Sequence, residues 1–251
     1  SSRLSRLRRL VNDRRYRDAQ HQVVIEGPRA IRSALDLGAD LREIFHRPDQ
    51  SEIAASFLKE GALVHEVESH VLDQIADSGS PQGLLAIAEV RDSDMRSISA
   101  CRRVVVIDSV QDPGNVGAIV RTAVAAGFEA IVTSSGTADL LSPRSIRASA
   151  GTTFSMQFAR NIDLDSALTA LLAEGHFVVA TNSRGEKDFR SLEVTGRMTL
   201  VLGSEAHGVS GDVLKRASVL VSIPMGEHVE SLNVAVAGGL VMYQMQGKGN
   251  D

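Results

Sequence analysis

Residues 103–128 read RVVVIDSVQDPGNVGAIVRTAVAAGF, and this stretch decides the fold class. Val104, Val105, Val106 and Ile107 form an unbroken β-branched run, the pattern of a strand buried on both faces. The run ends at Asp108. A Pro113-Gly114 turn follows, and from Asn115 to Ala126 the apolar residues recur at helical spacing. A strand entering a helix through a short polar turn is half of a βαβ unit.

The same alternation continues along the chain. Apolar runs at 129–133, 176–181, 199–202 and 219–223 predict further strands, with helical patterns at 163–173 and 210–216. Near-continuously apolar strands separated by helices predict an α/β domain whose sheet is mostly parallel and covered on both faces. Such sheets bind ligands at the carboxyl ends of their strands. The conspicuous loops, 109–114, 182–187, 203–208 and 224–230, fall at those ends.

Upstream, strands are expected at 22–26, 41–46, 63–67 and 84–90. Helices are expected at 29–37 (Pro28 in its first turn, Gly38 after it), at 49–60 before Gly61, and at 71–76. This is a compact α/β unit. Residues 91–103, RDSDMRSISACRR, are polar and poorly periodic and read as a linker. The expected organisation is an N-terminal domain over 1–92 whose first 18 residues form a basic arm, a linker over 93–102, and a second domain over 103–251. No internal repeat or low-complexity tract is present.

Composition narrows the partners. The chain has 251 residues, 43% hydrophobic, with a net charge of −4, so the whole is not a generic polyanion binder. Residues 1–17 differ: Arg3, Arg6, Arg8, Arg9, Arg14, Arg15 and Arg17 stand against one acid, Asp13. That run reads either as a solvated, frayed terminus or as an arm that faces RNA. Aromatics are 4% of the chain, so phosphate contacts and shape should outweigh stacking on rings in any RNA recognition. The single cysteine, Cys101, excludes an intrachain disulfide framework. No apolar stretch is long enough to span a membrane, and the basic start lacks the apolar segment of a secretory signal. A cytoplasmic protein is expected.

Three segments carry candidate chemistry. In 108–128, Asn115 and Arg121 are six residues apart, within about 120° of each other around a helix. Alone, Asn115 reads as an N-cap and Arg121 as a surface residue. In 200–208, LVLGSEAHG, a buried strand runs into Gly203, and Glu205 follows in a glycine-bounded loop. Gly203 permits close approach of a ligand to backbone, or it serves an ordinary strand-to-helix turn. In 223–237, IPMGEHVESLNVAVA, a strand end and a polar loop lead to a helix of small residues that Ser231 is expected to cap. His207 and His228 lie in these loops without metal-ligand spacing, and no metal is expected. No G-x-S-x-G, Walker A or G-x-G-x-x-G motif is present.

Taken together and in this order, the three segments closely resemble the SpoU family of RNA 2′-O-ribose methyltransferases, within the SPOUT superfamily. The D-x-x-x-D-P-x-N-x-G-x-x-x-R-T-A pattern is matched by Asp108, Asp112, Pro113, Asn115, Gly117, Arg121, Thr122 and Ala123. Leu200, Gly203, Glu205 and Gly208 match L-x-x-G-x-E-x-x-G, and Ile223 to Met225 with Glu230 to Val234 match the third motif. Glu227 stands where the family usually carries glycine, with Gly226 before it. More weakly, VIEGPRAI (24–31) and PQGLLAI (81–87) resemble the ribosomal-protein-like RNA substrate-binding domain of many members.

The resemblance implies a deep trefoil knot in the C-terminal domain, an exception to the rule that chains do not thread loops. It implies a homodimer with the site near the subunit interface, and S-adenosylmethionine as cofactor, contacted by Thr181, Gly203, Ile223, Met225 and Leu232. Asn115, Arg121, Glu205, Ser231 and Asn233 become the catalytic set. Arg121 either stabilises developing oxyanion charge and holds a phosphate, or acts as general base; Glu205 orients Arg121 or meets the cofactor; Ser231 and Asn233 position the ribose or the methionine moiety. Arg29 joins Arg3, Arg6, Arg8, Arg9, Arg14 and Arg15 as RNA-binding. A 23S-type rRNA substrate, for housekeeping or antibiotic resistance, is favoured by the appended domain. The alternatives are a tRNA 2′-O-methyltransferase and a non-catalytic RNA-binding module that kept the fold.

Overall fold

The structure, a computed structural model, describes residues 2–58 and 61–246. These divide into two compact units, 1–91 with 141–155 and 92–140 with 156–251.

In the first unit, α1 (Ser2–Asn12), α2 (Arg14–Gln20), β1 (Gln22–Glu26), α3 (Pro28–Asp36), β2 (Asp40–His46), α4 (Ser51–Ser56), β3 (Leu63–Glu66), α5 (Ser69–Asp73) and β4 (Leu84–Glu89) follow in order. The strands form one sheet in the order β1-β4-β2-β3, parallel only between β2 and β3. The helix expected over 49–60 is a 3-10 turn at Pro48–Gln50 running into α4, and positions 59 and 60 lie outside the described residues.

The expected basic arm is not an arm. Leu7, Leu10 and Val11 of α1 are buried in one core with Val24, Phe45, Leu85 and Ile87. Arg17 is buried, donating from Nη1 to the carbonyls of Leu10 (2.8 Å) and Val11 (3.0 Å). Arg6 pairs with Glu43 and donates to Gln22 Oε1 at 2.6 Å. Arg9 stacks on Tyr16, its Cζ 3.8 Å from the ring centroid. Arg14 forms a loose i,i+4 pair with Asp18. Arg3, Arg8 and Arg15 are exposed without a partner side chain among the described residues, and Arg9 is exposed on its stack. Leu10→Ala is therefore expected to destabilise this unit by about 2–5 kcal/mol, the usual range for a fully buried leucine. Urea unfolding measures it, and a change near zero would mean that α1 is loose after all.

The second unit contains α6 (Met95–Ala100), β5 (Arg103–Asp108), α7 (Pro113–Ala125), β6 (Ala130–Ser134), β7 (Gln157–Ile162), α9 (Leu164–Ala173), β8 (Phe177–Thr181), β9 (Lys187–Asp188), β10 (Met198–Gly203), α10 (Gly211–Arg216), β11 (Val219–Ser222) and α11 (Val234–Gln246). The intervening α8 (Pro143–Ala148) groups with the first unit, where Arg147 pairs with Glu26. The seven strands lie in the order β7-β6-β5-β10-β8-β11-β9 with every pairing parallel, in agreement with the apolar runs. On one face Ile98, Ala167, Leu168, Leu171 and Val213 join the sheet core. On the other, α11 lies against α7 and β10. Its glycines make that approach possible: a Cβ on Gly238 would sit 2.6 Å from Leu202 Cδ1.

Residues 93–102 are not a linker. Asp94 caps α6, accepting from Ser97 N at 2.7 Å, and Ile98 is fully buried. Buried His176 bridges the Ser99 carbonyl (3.0 Å) and Thr199 Oγ1 (2.9 Å), tying the end of α6 to β10. Asp163 caps α9 in the same way. The backbone N–H of a serine three residues on holds both Asp94 and Asp163 below the ordinary carboxyl range. No helix among the described residues is long and apolar enough to cross a membrane.

Candidate active site

From β5 the chain builds β6 and β7 on one side, then crosses to β8 on the other, and β10 fills the gap between β5 and β8. This is the switch point at which open parallel sheets form a crevice beyond their strand ends. Asp108 ends β5, Gly203 ends β10 beside it in register, Thr181 ends β8, and Ile223 follows β11.

The turn after β5 is held tightly. Ser109 is left-handed at φ 60°, with its N–H donating to Ser134 Oγ and Thr137 Oγ1 at 3.0 Å each. Asp108 accepts from Ser109 Oγ (3.0 Å) and from Ser210 N (2.8 Å), so one carboxylate joins the turns that follow β5 and β10. Asp112 then caps α7 through Asn115 N at 2.9 Å. Beyond β10, Ser204 and Gly208 exchange backbone hydrogen bonds of 3.1 and 2.8 Å and close the Glu205 loop into a tight ring.

Side chains from all three motifs meet here. Asn115 Nδ2 donates to Glu205 Oε1 at 3.0 Å, and Asn233 Nδ2 donates to Asn115 Oδ1 at 2.9 Å and to Glu205 Oε1 at 3.2 Å. Val234 N also reaches Glu205 Oε1, at 3.3 Å. Asn233 Oδ1 in turn accepts from Ala235 N (2.9 Å) and Val236 N (3.3 Å), so Asn233, not Ser231, caps α11. Beside this triangle lies a cleft of about 300 Å³, lined by Ser109, Gln111, Asp112, Asn115, Glu205 and His207 among others.

Residues 102–243, more than half of the chain, match the SpoU rRNA Methylase family. The chain belongs to that family. Residues 2–86 match the MRM3-like substrate binding domain. A 23S rRNA (guanosine(2553)-2′-O)-methyltransferase of Bacillus subtilis is 28% identical over 237 residues, covering 94% of this chain and 93% of that protein. The crystal structure of an AdoMet-bound rRNA methyltransferase from Sinorhizobium meliloti shares 32% identity over 96% of this chain and 92% of its own, with a TM-score of 0.84. That of the SpoU methyltransferase AviRb from Streptomyces viridochromogenes with AdoMet shares 25% identity over 97% and 96%, with a TM-score of 0.87.

In this SpoU chain the expected residues do not all converge. Asn115, Glu205 and Asn233 form one network. Arg121 does not join it: it is exposed on α7 with no ion pair or hydrogen bond among the described residues. Within its own chain Glu205 therefore meets the two asparagines and does not orient Arg121. Ser231 is exposed and caps nothing. Among the expected cofactor contacts, Met225 is 37% exposed, and Thr181, Ile223 and Leu232 are half-buried. A Cβ on Gly226 would meet nothing within 4 Å, so the loop's own geometry does not demand glycine there or at Glu227. Sequence reading missed Ser109, Gln111 and the Ser134–Thr137 pair; a left-handed serine held by distant hydroxyls leaves no local signal.

Proposed function

We propose that this protein transfers the methyl group of S-adenosylmethionine to a ribose 2′-hydroxyl of 23S-type ribosomal RNA. The observation that carries this reading is the Asn115–Glu205–Asn233 triangle, drawn from three separate loops to the carboxyl ends of β5 and β10 and the start of α11. The rRNA assignment rests on relatives named for rRNA that match both units along nearly their whole length.

The residues present fit the cofactor. Ile223, Met225 and Leu232 leave apolar surface uncovered beside the strand ends, and Val229 is half exposed, as an adenine slot requires. Thr181, Gly203 and Ile223 would hold it by backbone and side chain. When bound it supplies an electrophilic methyl on a cationic sulfur. The chain's own task is to align the 2′-oxygen in line with that methyl and to accept charge and proton as the bond forms. Asn115 and Asn233 are fixed by Glu205 before substrate arrives, so they act as preorganised polar contacts for the ribose and the methionine moiety. Glu205 Oε2 has no hydrogen-bond partner among the described residues and is placed to accept from a hydroxyl or an ammonium.

Arg121 acts electrostatically, on the neighbouring phosphate and the developing oxyanion. Because it does not reach its own chain's triangle, a second copy of the chain completes the site. Val236, Leu240 and Tyr243 form an exposed apolar stripe at i, i+4 and i+7 on α11 and are the proposed homodimer face. The knot is proposed from family membership; consistent with it, Gln244 Nε2 donates to the carbonyls of Arg190 and Leu192 at 3.1 Å each, holding the segment before β10 against α11. An rRNA substrate is consistent with a cytoplasmic protein.

Incubation with methyl-labelled S-adenosylmethionine and either rRNA or tRNA, followed by nucleoside analysis, tests the assignment. Label is expected in one ribose-methylated nucleotide of 23S rRNA; label on a base, or on tRNA alone, would overturn it. Arg3, Arg8 and Arg15 are the exposed basic residues of α1 and α2 that hold no partner side chain among the described residues. Their combined change to alanine is expected to flatten the salt dependence of RNA binding, by about 0.7–0.9 in log–log slope for each phosphate no longer neutralised. An unchanged slope would remove this surface from the interface.

A further inference from the structure

We propose that the cavity between α3 and α4 binds one unpaired nucleotide of the RNA substrate, its base stacked on the Arg32 guanidinium and its phosphate on Arg29. The proposal rests on the RNA-methyltransferase reading and assigns a site within the first unit.

Helix α3 buries Ala30, Ile31 and Ala34 against the sheet, and turns Arg29, Arg32, Ser33 and Asp36 outward at the i, i+3, i+4, i+7 spacing of a single stripe. With Ile53 and Phe57 from the α4 segment this stripe lines an open, shallow groove of about 560 Å³. Arg32 is already held in place. Its Cζ lies 4.5 Å from the Phe57 ring centroid, and Nη2 donates to Ser56 Oγ at 2.9 Å. Phe57 itself is covered, only 1% exposed, so the surface offered to a ligand is the outer face of the guanidinium. Arginine planes stack unpaired RNA bases as aromatic rings do, and a plane fixed beforehand loses little freedom on binding. This gives a stacking surface to a protein with few aromatic residues. Ile53, 43% exposed, and half-buried Leu37 flank the plane with apolar surface.

Charge sets the direction of the bound nucleotide. Arg29 makes no ion pair or hydrogen bond among the described residues. Asp36 lies seven residues on, about 10 Å along the helix axis. The phosphate belongs at the Arg29 end, since Asp36 repels it, and the Asp36 carboxylate accepts from a base N–H at the other end.

The test uses the full chain with three probes: a ten-nucleotide oligoadenylate, the same backbone carrying abasic sites, and a ten-base-pair RNA duplex. The oligoadenylate is expected to bind about tenfold tighter than the abasic strand, the lower range of one stacked base. Arg32→Lys keeps the charge and loses the plane, and is expected to erase that difference. Arg29→Ala is expected to weaken both strands alike and to lower the log–log salt slope by about 0.7, the value for one neutralised phosphate of a single strand. Equal binding of oligoadenylate and abasic strand, or a difference that survives Arg32→Lys, would overturn the pocket, as would a preference for the duplex. Thermal unfolding and S-adenosylmethionine binding of each variant verify that the fold and the methyl-donor site are intact. Failure here with methyl transfer to rRNA retained condemns the pocket alone, whereas absence of transfer to any RNA condemns the functional reading.

Discussion

Arg121→Ala is expected to lower methyl transfer by about 10²–10³-fold, the loss found when one preorganised donor to a developing oxyanion is removed. Affinity for S-adenosylmethionine and the unfolding midpoint should change little, because Arg121 is exposed and holds no partner among the described residues of its own chain. Arg121→Lys should recover only part of the loss, since a point charge replaces a planar fork. The decisive measurement mixes two inactive variants. Asn233→Ala removes the triangle's bridge and keeps Arg121; Arg121→Ala does the reverse. If the proposed homodimer forms and Arg121 serves the partner's site, each mixed dimer has one intact site of two. Random exchange makes half the dimers mixed, so about a quarter of wild-type activity should return. No activity above the sum of the separate variants would place Arg121 in its own chain's site or outside the mechanism.

How far the sequence can be read depends on whether the deciding contact is local. The parallel sheet is legible because Val104 to Ile107, 199–202 and 219–223 are near-continuously apolar and lack the alternation of a half-exposed strand. The helix start at Pro28 is legible from proline and glycine punctuation, whereas α7 starts at Pro113, two residues before the expected Asn115, capped by Asp112. The first 18 residues mislead because seven arginines overshadow Leu4, Leu7, Leu10 and Val11, whose spacing marks an amphipathic helix. Residues 93–102 hide a short helix whose only signals are Asp94 as cap and one apolar residue, Ile98. Sequence patterns also pass over α8 and β7. Ser142 before Pro143 is an available cap signal, but β7 is an edge strand with an exposed, polar half. At the site, motif order identifies Asn115, Glu205 and Asn233. Which of them touch is a property of tertiary packing, so the sequence offers Ser231 as the cap of α11, and the family resemblance offers Arg121 or the cofactor as the partner of Glu205.

Gly203 separates the two explanations that the sequence leaves open for it. A Cβ there would lie 2.0 Å from the carbonyl carbon of Gly208, and 2.2 Å from both its oxygen and Val209 N. All three are backbone atoms that cannot rotate away as a side-chain tip does. Gly203→Ala must therefore open the Ser204–Gly208 ring, and with it move Glu205 away from Asn115 and Asn233. Affinity for S-adenosylmethionine is expected to fall by at least about 100-fold, the change expected when a buried strand end and its polar contacts are displaced together. Gly208→Ala is the control. Its φ is +67° and a Cβ there meets nothing, so the substitution carries only backbone strain of about 1–2 kcal/mol, and binding should be weakened far less. Calorimetric titration of both variants reads the difference. Gly203→Ala that binds cofactor like Gly208→Ala would mean that the loop yields without harm. The ring joining β10 to the Glu205 loop would then not be what holds the triangle in place.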